Sequence, residues 1–294
     1  MNDEVRVPAR PRPDGGIGPG SQPDADDGAE LTYLPMPGAM HTYRPPILPE
    51  PAEVADLHAG HQLLRSLLLL LTGYQVGALP QVLDLGALPP ADLRLVEDSL
   101  GSGEVSIQRS GTEPVQARET RLAGVWRIRQ YGAGGELRRD VLEVSDIPGF
   151  VRFGSFDAAR ARIELQAQWP DGVMNAPGVL AELDAELGRR ADAETEWAPH
   201  IVNLTLLPQS EHDLTCLEDR LGTGALAILS RGYGSCRITA TATRDIWWVQ
   251  HYNSDDRLIL NTLEVTGVPD AALAAQEDIE DSAERLREIL EALQ

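Results

Sequence analysis

The chain has 294 residues, 25 of them basic and 46 acidic, for a net charge of −21 at pH 7. A surface that negative repels phosphate backbones and anionic lipid, which argues against nucleic acid and membrane surfaces as partners. Two cysteines, Cys216 and Cys236, with no C-x-x-C spacing, argue against a disulfide framework and point to a reducing compartment.

Residues 1–30 are rich in Pro, Gly and Asp and poor in large apolar groups, so they are predicted to be a disordered tail. The N-terminus has no apolar h-region of a secretory signal. Residues 31–50 are punctuated by proline and read as extended, with Tyr33, Met36, Met40 and Tyr43 as possible anchors. The run Leu67–Leu71, with Leu63 and Leu64, is far shorter than the roughly 20 residues that span a bilayer and fits a buried helix. A cytoplasmic chain with no membrane insertion is expected.

The main organising signal is an internal repeat. Set 121 positions apart (222 − 101), residues 93–148 align with 214–269 without a gap and share 16 identical pairs in 56 positions. Ordinary residue usage gives about three or four by chance. The matches include Trp126/Trp247, Pro148/Pro269 and Ile107/Ile228, and the glycine pairs 101/222, 103/224 and 111/232. A first copy over 51–160 and a second, fuller copy over 161–294 are predicted.

In the second copy Ile201–Leu207 reads as a strand and 211–222 as a helix that Gly222 ends. Four β-rich runs follow, LAILS, CRITATAT, IWWVQHY and RLILNTLEV, with turn residues between them. Asn253-Ser254-Asp255-Asp256 and its counterpart Gly132-Ala133-Gly134-Gly135 predict a hairpin at the same place in each copy. Asp270–Gln294 carries Leu273, Ile279, Leu286, Ile289, Leu290 and Leu293 as an apolar stripe, with Asp270 placed as the N-cap. The predicted fold is α+β: an antiparallel β-meander with packed helices, present twice about a pseudo-twofold.

Differences between the copies mark candidate sites. Trp126 and Trp247 share a face with Ile128 and Val249 and read as core, whereas position 127/248 changes from Arg to Trp on the opposite face. Trp is enriched at binding hot spots, so Trp248 is a partner-contact candidate, with Tyr252 and Asn253 beside it. The competing reading buries Trp248 against the other repeat or the C-terminal helix. Tyr233, Gly234, Cys236 and Arg237 occur only in the second copy and join the candidates, while Gly222, Gly224 and Gly232 are read as structural turns.

Recognised chemistry is scarce. No P-loop, nucleophile elbow or H-E-x-x-H is present. The pairs Glu97-Asp98 and Glu218-Asp219 sit near helix ends, where a buried or capping role is expected. Cys216, Cys236, His212 and His251 could assemble a metal site, but without the tight spacing of structural zinc, and inert cysteines are the preferred reading. No metal or cofactor is assigned, and no enzyme activity.

The stretch from Leu214 to Leu290, LTCLEDRLGTGALAILSRGYGSCRITATATRDIWWVQHYNSDDRLILNTLEVTGVPDAALAAQEDIEDSAERL and onward, resembles the C-terminal domain of the HupH/HyaF/HoxQ hydrogenase-expression proteins. The first copy resembles a weaker version of it, and MPGAMHTYRPPILPEP looks like the family's N-terminal motif. The resemblance implies a non-enzymatic accessory chaperone or assembly factor for [NiFe]-hydrogenase. It further implies that the small-subunit precursor is held before twin-arginine export, alongside a HyaE/HoxO-type thioredoxin-fold chaperone. A metal, iron–sulfur or redox carrier using Cys236, with Cys216, is the alternative.

Overall fold

A computed structural model describes residues 48–191, 198–232 and 234–294. The tail at 1–30, and all but the last few residues of the proline-rich segment, lie outside these.

In chain order the elements are α1 (Pro51–Val54), α2 (His58–Gly73), β1 (Gln81–Asp84) and α3 (Pro90–Leu100). The meander β2 (Val105–Arg109), β3 (Val115–Glu119), β4 (Val125–Tyr131) and β5 (Leu137–Val144) follows, then α4 (Gly149–Gly154). The second copy repeats the plan with α5 (Ala176–Ala191), β6 (His200–Asn203) and α6 (Glu211–Leu221). Its meander is β7 (Thr223–Gly232), β8 (Gly234–Thr241), β9 (Ile246–Tyr252) and β10 (Leu258–Val265), and α7 (Gln276–Ala292) ends the chain.

The two meanders are not separate layers. They join edge to edge in one sheet of order β1-β5-β4-β3-β2-β7-β8-β9-β10-β6, and every strand pairs antiparallel with its neighbours. At the β2–β7 seam the Cα partners include Ile107 and Ile228, which are repeat equivalents, so the pseudo-twofold runs between them.

Strand alternation divides the core. One face carries Ile107, Trp126, Ile128, Ile228, Trp247 and Val249 in a single apolar cluster, capped by Val151 of α4 and by Ile147 and Val268. Both tryptophans are fully buried, and their indole N–H groups donate to equivalent carbonyls, Ser145 at 2.9 Å and Thr266 at 3.2 Å. An indole buried this way is worth about 3–5 kcal/mol against truncation to Ala.

The other face is covered by helices in two separate groups. Val125, Leu142 and Val144 of the first copy pack beneath α2, α3 and α7. Ile246, Leu263 and Val265 of the second pack beneath α5 and α6. The segments that leave each meander cross over: α7 closes the first copy's helix layer, while Ile163, Trp169 and Val173 join the second's.

Local rules hold the copies in step. Gly101 and Gly222 end α3 and α6 at φ 60° and 66°, where a side chain on Cβ is disfavoured. Gly103 and Gly224 are not turn residues; a Cβ there would sit 2.3 Å from the Thr120 carbonyl oxygen and 2.6 Å from that of Thr241. The backbones approach too closely for anything larger.

Three expectations change. Ile201–Leu207 is only half strand: the Asn203 side chain accepts from the Thr205 N–H at 3.0 Å and starts a 3-10 turn over Leu204–Leu206. Asp270 does not cap the last helix; it begins a 3-10 turn, and α7 starts after Ala275, with Leu273 packed on the tryptophan face instead. Asp98, Glu218 and Asp219 are exposed rather than buried or capping, and Glu97 pairs with Arg127.

Candidate partner-binding face

The candidate residues do not share one surface. Tyr233 lies outside the described residues. Cys236 lies on the tryptophan side, next to the Ile238–Ala240 face. Arg237, Trp248 and Tyr252 alternate to the helix side, where Arg237 is opposite Gln250 and Thr239 opposite Trp248.

Gly234 opens β8 at φ 96°, and a Cβ would lie 2.5 Å from the Tyr252 carbonyl oxygen. The hairpin itself therefore demands glycine at 234. At Gly232, by contrast, an added Cβ would meet only the flexible Glu104 carboxylate, and this residue ends a strand rather than forming the turn.

Asn253 is occupied by its own turn. Its side chain accepts from the N–H groups of Asp255 (3.0 Å) and Arg257 (2.9 Å), while Asp256 takes φ 56°. Gly135, its first-copy equivalent, has φ 82°. Such Asx geometry explains Asn at this position without a partner.

Trp248 is half-buried among the second copy's own helices, not against the first repeat or α7. Its indole N–H donates to Asn261 Oδ1 at 2.6 Å. The equivalent pair in the first copy is Arg127 and Asp140, joined by two hydrogen bonds of 2.9 and 2.7 Å. The repeat has thus kept a β4–β5 side-chain bond while exchanging an ion pair for a neutral one.

The cysteines are separated by the sheet. Cys216 is buried in the helix-side cluster of the second copy, and Cys236 packs against the opposite face. They can neither pair nor share a ligand. Cys236 Sγ lies 3.8 Å from His251 Nε2, and burial, with Glu264 nearby, pushes its thiol up to about 11. It is a protonated thiol at neutral pH rather than a thiolate nucleophile. Among the described residues no cluster of three or more His, Cys, Asp or Glu side chains is able to hold a metal.

Two features escaped the pattern reading. Asp92 and Asp213, one position before the aligned block, are buried carboxylates that cap a preceding helix: Asp92 accepts from Gly60 N–H at 2.7 Å. Asp213 accepts from Met174, Asn175 and Ala176 at the start of α5, and from Ser210. Those donors hold the Asp213 carboxyl well below the usual range despite burial. Extending the alignment by one residue would have found the pair.

The second feature is an apolar corner where β6 and its 3-10 turn run along β10. Leu206 (79 % exposed) and Ile259 (57 % exposed) lie there with Leu207 and Leu258, all exposed. Continuing the strand register equates Leu206 with Ala87 and Ile259 with Arg138, while Leu258 corresponds to Leu137, which is exposed too, so the first copy keeps only part of this apolar set. No helix of the described residues is long and apolar enough to cross a membrane.

Fold and site together define a duplicated single-sheet α+β protein whose copies keep their buried groups and diverge on exposed ones. The chain belongs to the HupH hydrogenase expression protein family, whose C-terminal conserved region matches it twice, over residues 57–169 and 173–293. It is 49% identical to the hydrogenase expression/formation protein HupQ of Azotobacter chroococcum over 95% of this chain and 96% of that one. Identity is 42% to HupH of Rhodobacter capsulatus, over 95% and 96%, and 32% to the hydrogenase-1 operon protein HyaF of Escherichia coli, over 94% and 95%.

Proposed function

We propose that this chain serves hydrogenase maturation as a non-catalytic docking protein that holds the small-subunit precursor before its export, in a cytoplasmic setting. Support for the process comes from the relatives, which are named as hydrogenase expression or formation proteins. The observation that carries the docking role is the apolar corner of the second copy: Leu206, Leu258 and Ile259 stand exposed beside the acidic turn residues Asp255 and Asp256. An export leader has a cationic start followed by an apolar run. Acidic turn and apolar corner match that order, and the net charge of −21 adds long-range attraction that salt weakens. A thioredoxin-fold co-chaperone of the HyaE/HoxO kind would act alongside.

The test is capture of separately prepared precursor, leader peptide and mature small subunit on the immobilised chain. Precursor and leader are expected to bind, and Leu206→Asp with Ile259→Asp to abolish capture while the circular dichroism spectrum is unchanged. Undiminished capture by the folded double variant removes the corner from the site. Failure of the unaltered chain to capture precursor removes the function.

A further inference from the structure

On the helix side of the first copy a cavity of about 520 Å³ opens between the end of α3 and strands β2, β3 and β4. Its size is that of an ordinary small-ligand site. Three guanidiniums line it: Arg118, Arg127 and Arg129. Arg118 and Arg127 are direct cross-strand partners. Like charges so placed repel and destabilise a sheet unless something lies between them.

Glu97 and Glu119 line the cavity as well, with Asp140 beside Arg127, and these carboxylates are shared unevenly among the arginines. Asp140 takes Arg127 by two hydrogen bonds, Glu97 also pairs with Arg127, and Arg129 is 3.4 Å from Asp140 and 3.8 Å from Glu97. Arg118 makes no ion pair among the described residues. The guanidinium fork suits planar oxyanions bound through two parallel hydrogen bonds.

Folding does not require this cluster. At the equivalent positions the second copy has Thr239, Trp248 and Gln250, with Asn261 in place of Asp140, and forms the same strands in the same register. Partly buried ion pairs seldom outperform neutral replacements in stability. The three arginines around the cavity have no arginine at the equivalent positions of the other copy, where the helix-side cation is Arg237 in place of Gln116, so the shared strands do not account for them.

We infer that this cavity is a carboxylate-binding site, in which Arg118 and Arg129 hold the anion and Asp140 fixes Arg127 behind it. The carboxylate comes either from a small organic acid or from an acidic side chain of a bound protein. The site is independent of the apolar corner, on the other copy, so the two readings fail separately.

Isothermal titration of the full chain at low salt tests it, with succinate in one arm and a capped Ala-Glu-Ala peptide in the other. The comparison variant, Arg118→Thr with Arg129→Gln, imports the second copy's own residues. Arg138→Gln serves as a control, because that side chain pairs with Glu113 and Glu136 away from the cavity. Saturable succinate binding that weakens at least about tenfold in the double variant and not in the control supports a free acid, a change of about 1.4 kcal/mol. The same pattern with the peptide alone assigns the carboxylate to a protein. Equal binding by the double variant, equal weakening in the control, or no saturation by either probe up to roughly 10 mM overturns the site.

Discussion

Ile107 and Ile228 face each other across the seam between β2 and β7, each the other's counterpart in the repeat. Both are fully buried, and the apolar cluster around them draws side chains from both copies. Neither copy has a tryptophan-face core of its own. Ile228→Asn is therefore expected to destabilise the whole chain in one cooperative transition, by about 3 kcal/mol or more. Hydrogen exchange is the check: amides of β3 and β4, in the untouched copy, should lose protection together with those of β7 and β8.

The exchanged tail segments give a more selective outcome. Leu286, Ile289 and Leu290 of α7 complete the core formed with Leu64, Leu67 and Leu71 of α2. Truncation after Ala275 should expose α2 and α3, in the opposite copy from the deletion, before α5 and α6. Limited proteolysis mapped by mass spectrometry distinguishes that order from loss of the second copy first.

Matched glycines differ in what they tolerate. Gly103→Ala and Gly224→Ala each drive a Cβ into a backbone carbonyl, and a loss of about 2–4 kcal/mol is expected from either. Gly232→Ala meets only a mobile carboxylate and should change stability by under about 1 kcal/mol. Thermal melts of the three variants rank them directly.

Glu119 gives the stability a pH dependence. Burial pushes its carboxyl up to about 7, helped by Asp278 and Glu104 and opposed by the Gly124 N–H. Below the ordinary value near 4.5 both folded and unfolded chains hold the proton. Between there and pH 7 only the unfolded chain releases it, so stability falls as pH rises through that window and levels off above it. Allowing for partial exposure, the loss is roughly 2 kcal/mol. Glu119→Gln should reduce the fall in melting temperature between pH 5 and 8, leaving the smaller contributions of Glu143, Asp245 and Glu264, whose carboxyls burial also pushes up. A slope identical to that of the unaltered chain would exclude Glu119 as a source.

Asp213 acts in the opposite direction. Its folded carboxyl is held below the usual range by backbone donors, so its stabilisation is full above about pH 4 and disappears with acid. Asp213→Asn should cost about 2–4 kcal/mol at pH 7 and distinctly less at pH 2, as measured by urea unfolding at the two pH values.

Much of this fold could be read from spacing alone. Gapless alignment from Leu93 to Pro148, with 16 identities in 56 positions that include the tryptophan and glycine pairs, implied one unit used twice. What spacing could not convey was the joining of the meanders: Ile107 and Ile228 each look like an ordinary strand residue until paired. Alternation did separate the two faces of β9, yet it treated Cys236, Arg237 and Trp248 as one cluster, when one-residue steps along a strand put neighbours on opposite sides. Asn253 and Gly234 were distinctive for backbone reasons that only dihedral angles reveal. Leu206 and Ile259 went unnoticed because exposure, not residue type, sets them apart.

The crossing of α7 onto the first copy has a bearing on ancestry. A chain holding one copy would leave the β2 edge open at Ile107 and would lack the helix that closes its own α2 layer. Two such chains related by a true twofold would repair both faults, pairing β2 with β2 and exchanging their last helices. The present molecule has the geometry of that homodimer with its subunits joined in tandem. With both halves in one chain, each half can carry its own surface, arginines on one and an apolar corner on the other, as identical subunits cannot.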